Sequence, residues 1–142
     1  MSVPQGDGGA RAALREFEGG RVEGVHFTNK VNPAAVGHKA LACNISDIAA
    51  MGGIATVAVV SLGINPKASV NYIEHMYQGM GQLAKAFDVV IVGGDTVKST
   101  KTVINIALLG EVSKKDLVTR DGAKPGDWIF VTGPLGGSLK SD

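Results

Sequence analysis

Two Asn-Pro pairs, each followed by an apolar stripe of helical period and then by a β-branched apolar run, constrain this chain to alternate helix and strand. At Asn32-Pro33 the asparagine suits an N-cap and the proline the first helical position. Val36, Ala40, Leu41, Ile45, Ile48 and Ala49 then recur at helical spacing, and Gly52-Gly53 supplies the stop. Residues 54–62, rich in Val and Ala, read as a buried strand. Asn65-Pro66 is expected to open a second helix with Val70, Ile73, Tyr77, Met80, Ala84 and Phe87 as its apolar stripe. Strands are expected at 22–27, at 89–92 ending in Gly93-Gly94, at 102–109 and at 128–132, giving the order β-α-β-α-β-β-β. Residues 1–20 are small, polar and glycine-rich, and are expected to be poorly ordered, with at most one or two helical turns over 10–17. Residues 112–126 read as a polar connection with a turn at Pro125-Gly126.

This pattern predicts an α/β chain of the two-layer α+β kind: a mixed sheet of four to five strands with two long helices on one face. At 142 residues, 44% of them hydrophobic, the chain can build one core. The strands are apolar on both sides, so the second sheet face also needs a cover. A homodimer in which two sheets face each other would provide it. A formal net charge of +1 with scattered basic residues gives no reason to expect nucleic acid or an anionic membrane as partner. The single cysteine, Cys43, has small apolar neighbours and reads as a reduced, buried residue of a cytoplasmic protein. No apolar run approaches a membrane span, and the N-terminus lacks the apolar stretch of a secretory signal.

Two aspartates stand out. Asp47 sits in an apolar helix, where an unpaired carboxylate is costly, so an ion pair to Lys39, a helix kink at Ser46 or, more sharply, a bound cation is expected there. Asp95 follows the glycine pair Gly93-Gly94 at a strand end, where a backbone can approach a phosphate or other ligand closely. There is no P-loop, no dinucleotide-binding glycine fingerprint and no Gly-x-Ser-x-Gly elbow. Carboxylates without a Cys/His cluster favour magnesium over zinc or iron. On pattern alone His26 reads as a structural histidine at a strand end, Tyr77 as core, Arg120 as surface and Asp127 as a turn acid.

Taken together, Val22-Glu23-Gly24-Val25-His26-Phe27, the run Asn44-Ile45-Ser46-Asp47-Ile48-Ala49-Ala50-Met51-Gly52, Val92-Gly93-Gly94-Asp95-Thr96, Arg120-Asp121-Gly122-Ala123 and Pro125-Gly126-Asp127 resemble, in order and spacing, the thiamine-monophosphate kinases. These belong to the superfamily of aminoimidazole ribonucleotide synthetase, selenophosphate synthetase and hydrogenase maturation factor E. The resemblance implies transfer of the ATP γ-phosphoryl group to thiamine monophosphate, giving thiamine diphosphate, with magnesium neutralising two polyanions. It implies that Asp47 and Asp95 hold magnesium and act in catalysis, that Tyr77, Gly94, Asp95 and Arg120 contact ATP, and that His26 touches the thiamine phosphate. It implies pairing of N-terminal domains, in agreement with the uncovered sheet. By this resemblance residues 21–135 form the ATP- and magnesium-binding domain, and 136–142 begin a C-terminal domain into which the family continues. Gly19 stands where the family has a metal-binding aspartate, and Gly6-Asp7-Gly8 is the nearest counterpart of an upstream acidic motif. The alternative expectation is therefore a catalytically weak or inactive dimerising, nucleotide-binding module of the same descent.

Overall fold

In a computed structural model of the chain, residues 11–14, 20–131 and 133–134 are described. The elements are β1 (Arg11–Leu14), β2 (Arg21–Val22), α1 (Pro33–Ala50), β3 (Ile54–Ile64), α2 (Val70–Ala86), β4 (Val90–Lys98) and β5 (Val103–Ser113). They form the expected two-layer arrangement of a mixed sheet and two helices. The sheet order is β1-β5-β3-β4, with β2 pairing β5 as well. Strands β3 and β4 run parallel, while β5 is antiparallel to β1, β2 and β3.

Helix α1 starts where its sequence signal lies. The Asn32 side chain accepts the Ala34 N–H at 2.9 Å, and Pro33 occupies the first turn. Helix α2 starts later than expected. Asn65 builds a turn instead: its side-chain oxygen accepts the Lys67 N–H at 3.0 Å and its amide donates to the Thr100 carbonyl at 2.7 Å. Ser69 is the cap, accepting the Tyr72 N–H at 3.1 Å. Asn-Pro signals turns as readily as helix starts, and here the turn ties two connections together.

The helices cross at backbone contact. A Cβ added at Gly37 would lie 1.9 Å from the Met76 carbonyl oxygen, and one at Gly79 the same distance from that of Ala34. Their shared apolar face, with Leu41, Ile45, Ile48, Met76 and Met80, packs on Ala58, Val60 and Leu62 of β3 and on Ile104, Ile106 and Leu108 of β5. Full burial of each larger side chain contributes about 1.5–3 kcal/mol.

Four local expectations are corrected. Within 10–17, Arg11–Leu14 is a strand paired with β5, not helical turns. The strand expected at 22–27 is the two-residue β2 followed by a turn, because Gly24 takes a φ of +80° and reverses the chain. Residues 128–131 form no strand; Trp128 is 86% and Ile129 93% exposed, with no neighbouring strand to pair among the described residues (Thr132 lies outside them). Cys43 is half-buried, not buried, because it sits on the margin of the apolar face of α1. Gly19, Gly6-Asp7-Gly8 and residues 136–142 lie outside the described residues. Among the described residues, no helix is long and apolar enough to cross a membrane.

Candidate nucleotide and metal site

Asp95 owes its direction to a β-bulge. Ala58 of β3 pairs with Ile91, but Val59 pairs with Gly93, so Val92 is an extra residue on β4. Gly93 accommodates the irregularity with a φ of +155°, a conformation that side chains disfavour. Without the bulge Asp95 would stand opposite Leu62, on the helix side. With it, Asp95 stands opposite Ser61, on the face the helices leave open. The Gly-Gly-Asp run therefore lies inside β4, not at a strand end as the sequence suggested.

The open face is built in rows across β4, β3 and β5. Val90, Val57 and Leu109 form one row; Gly93, Val59 and Ala107 the next; then Asp95, Ser61 and Asn105; then Val97, Gly63 and Val103. A polar row thus crosses apolar neighbours. It opens into a shallow cavity of about 310 Å³ lined by Ser61, Gly63, Asp95, Val97, Lys98, Ser99, Val103 and Asn105 among others. Asp95 also accepts the Thr96 N–H at 2.8 Å.

Gly94 has a structural task. A Cβ there would fall 1.7 Å from the Val60 carbonyl oxygen, so glycine is what lets β4 approach β3. Besides any ligand, what Gly94 approaches closely is the neighbouring strand.

His26 lies on the turn after β2, exposed, and is fixed by two bonds to Val22. Its Nδ1 accepts the Val22 N–H at 3.0 Å, and its own N–H donates to the Val22 carbonyl at 2.9 Å. A ring accepting at Nδ1 carries its proton on Nε2 when neutral, so Nε2–H faces outward as a donor. Val22 pairs with Val103, which pairs with Gly63, which pairs with Val97. The His26 turn and the Asp95 cavity thus flank the same β4–β5 connection: Val22 pairs directly with the cavity residue Val103 and lies three strand spacings, roughly 14 Å, from Val97 on the far wall.

Asp47 is half-buried near the end of α1, and no ion pair joins it to Lys39. Its neighbour Ile48 packs on Gly110 of β5, whereas the cavity reaches β5 at Asn105. Asp47 and Asp95 thus lie on opposite sides of the sheet, five residues or roughly 17 Å apart along β5. Three residues before Asp47, Asn44 is 2% exposed; its amide donates to the Ala40 carbonyl at 2.9 Å, but its Oδ1 has no partner. Among the described residues no three His, Cys, Asp or Glu side chains form a cluster.

Tyr77 is half-buried against the core, and burial pushes its phenol pKa above the ordinary value. Arg120 is exposed in a turn where the Thr119 hydroxyl donates to the Asp121 carboxylate. That bond, then a backbone hydrogen bond, hold the Asp121 carboxyl below its ordinary pKa. Asp127 is a turn acid as expected, accepting the Lys124 N–H at 2.8 Å.

Sequence reasoning missed Ser61, Asn105 and Glu23. The signal was present for the first two: each is a polar residue inside an apolar strand, in Val60-Ser61-Leu62 and Ile104-Asn105-Ile106.

This mixed sheet with two helices on one face is the fold of a known class. Residues 19–112 match the family model "AIR synthase related protein, N-terminal domain", and the chain belongs to that family. Within it, the chain is 46% identical over 119 residues to the thiamine-monophosphate kinase of Bacillus subtilis, covering 82% of this chain and 37% of that protein. It is 41% identical over 116 residues to the enzyme of the same name from Aquifex aeolicus, with coverages of 82% and 37%. The chain thus spans about 37% of the length of these curated relatives. A solved structure of AaThiL complexed with AMPPCP and TMP superposes with a TM-score of 0.76 at 36% identity, over 80% of this chain and 36% of that one. The hydrogenase maturation protein HypE in complex with ATP, 21% identical with a TM-score of 0.66, shares the fold.

Proposed function

We propose that this chain is the ATP- and magnesium-binding part of a thiamine-monophosphate kinase, which transfers the γ-phosphoryl group of ATP to thiamine monophosphate. The observation that carries the reading is the Asp95–Ser61–Asn105 row, held in an open cavity by a bulge and flanked by Lys98. Its oxygen donors suit magnesium, which is commonly held by one or two carboxylates together with substrate phosphates and water. Asp95 is the protein ligand on this face. Asp47, beside the unpartnered Asn44 oxygen, is the second candidate on the other layer. Bound magnesium would neutralise the facing phosphates.

The chain's own residues bind and orient. Lys98, on the cavity wall, offers a cation to the triphosphate. Arg120 offers another from its turn. Tyr77, half-buried on α2, offers an apolar ring and a donor hydroxyl from the helix layer, on the other side of the sheet from the cavity. The outward Nε2–H of His26 donates to the phosphate of thiamine monophosphate. A phosphate acceptor is already ionised, so no side-chain base is required.

The same reading is of a cytoplasmic homodimer joined through the open sheet face. Apolar rows flank the polar row there, with Leu109 48% and Val90 57% exposed. A second reading, a dimerising nucleotide-binding module without turnover, is favoured by the separation of Asp47 from Asp95 within one chain. Calorimetric titration of a non-hydrolysable ATP analogue with magnesium tests the site. Magnesium-dependent binding that disappears in Asp95→Ala is expected; equal binding by the variant would sink the assignment. Turnover of thiamine monophosphate at roughly 1 per second or more would exclude the second reading.

A further inference from the structure

We infer that Glu23 is the positioning residue of the His26 turn, the part that fixes where the acceptor phosphate meets the Asp95 cavity; this rests on the kinase reading above. Glu23 grips the β4–β5 connection twice. Its backbone N–H donates to the Thr102 carbonyl at 2.9 Å, and its side-chain Oε2 accepts the Thr102 N–H at 3.1 Å. Thr102 is 3% exposed, so its N–H has no water to turn to and depends on that carboxylate.

The consequence reaches His26 through a short path. Glu23 bridges to Phe27, the Gly24 N–H donates to the Phe27 carbonyl at 2.8 Å, and Gly24 turns the chain at a φ of +80°. Within this closed loop His26 bonds back to Val22 through both its ring and its backbone. Strand β2 has only two residues, too few to hold the turn by ladder bonds alone. The Glu23 side chain supplies the missing anchor.

The anchor point Thr102 adjoins the cavity wall at Val103. Lys98 and Ser99 line the cavity; the Ser99 N–H donates to the Ile64 carbonyl at 2.9 Å, and Asn65 holds the Thr100 carbonyl at 2.7 Å. Residues 98–103 are thus clamped by β3 on the cavity side and by Glu23 on the His26 side. A phosphoryl acceptor displaced by about 1 Å from its donor can lose two orders of magnitude in rate. The side chain that sets this spacing touches neither ligand.

The test compares the full chain with Glu23→Ala, Glu23→Gln and, for assignment of the ring signals, His26→Gln. Nitrogen-15 NMR of the ring at alkaline pH, where imidazoles are neutral, reports the tautomer. The wild type is expected to show Nδ1 as acceptor and Nε2 protonated. Glu23→Ala shifts the ring towards a mixture and weakens thiamine monophosphate binding about ten- to a hundredfold, with ATP-analogue affinity unchanged. Glu23→Gln keeps an acceptor oxygen for Thr102 and restores both. A wild-type ring spectrum in folded Glu23→Ala overturns the inference, as does a Gln variant that behaves like Ala. Should Glu23→Ala fail to fold, the Gln comparison still decides. A ring that shifts in Glu23→Ala while the wild type binds no thiamine monophosphate would leave the positioning standing and overturn the kinase reading instead.

Discussion

Strands β3 and β5 carry apolar residues on both sides, yet the two sides meet different surroundings. Towards the helices, Val60, Leu62, Ile104, Ile106 and Leu108 are each no more than 2% exposed; on the opposite side Val59 is 38% and Leu109 48% exposed. Composition does not distinguish the two faces. What does is the Asp95–Ser61–Asn105 row, which crosses the open face, while on β3 and β5 the closed face has no such interruption between Leu62 and Ala58. One face stores the folding energy; the other is the face on which binding is proposed.

The widest contrast should come from paired substitutions. Ile106→Ala empties a fully buried site and is expected to cost about 2–5 kcal/mol in urea unfolding. Ala107 beside it faces the open side, and Ala107→Ser should stay within about 0.5 kcal/mol. Comparable losses at the two positions would mean that the open face is packed after all. Gly94→Ala comes next: its methyl would meet the Val60 carbonyl, so a cost of about 1–3 kcal/mol is expected together with lost nucleotide binding. If binding is lost while unfolding is unchanged, Gly94 serves the ligand and not the strand pairing. Leu109→Lys sharpens the contrast from the other side. It should leave the protomer folded and, if the open face pairs as proposed, halve the mass seen by light scattering; a variant that stays dimeric would move the contact elsewhere.

How far the sequence could be read follows from the same two faces. Helix α1 was legible to its cap, because Asn32 and Pro33 act locally. The start of α2 was not, because Asn65 is occupied by Thr100, thirty-five residues away, and no local rule contains that partner. Asp95 was singled out from Gly-Gly-Asp as a candidate, but its direction depends on a bulge that shifts register against β3. Gly94 was legible as a point of close approach, though not of approach to what. Residues 128–131 look like a strand because they are apolar, but a strand needs a neighbour and the described sheet offers none.

The smallest effect expected lies in the exposed turn around Arg120. The segment before it is tied to the end of α1, where the Val118 N–H donates to the Met51 carbonyl at 3.2 Å, and Leu117 packs on the core; the turn itself is held locally, by the Thr119 hydroxyl donating to Asp121 across Arg120. The Thr119 bond favours the ionised carboxyl and lowers its pKa from the usual 3.8. A depressed folded-state pKa contributes stability above the ordinary value and loses it as pH falls through the lowered one. The turn orienting Arg120 should therefore be intact at neutral pH and loosen only in acid. Thr119→Val should raise the Asp121 titration midpoint, followed by carboxyl NMR, and leave the global unfolding midpoint where it was, because the group is fully exposed. A fall in global stability would show that this segment, like the helix side of β3 and β5, is part of what holds the fold.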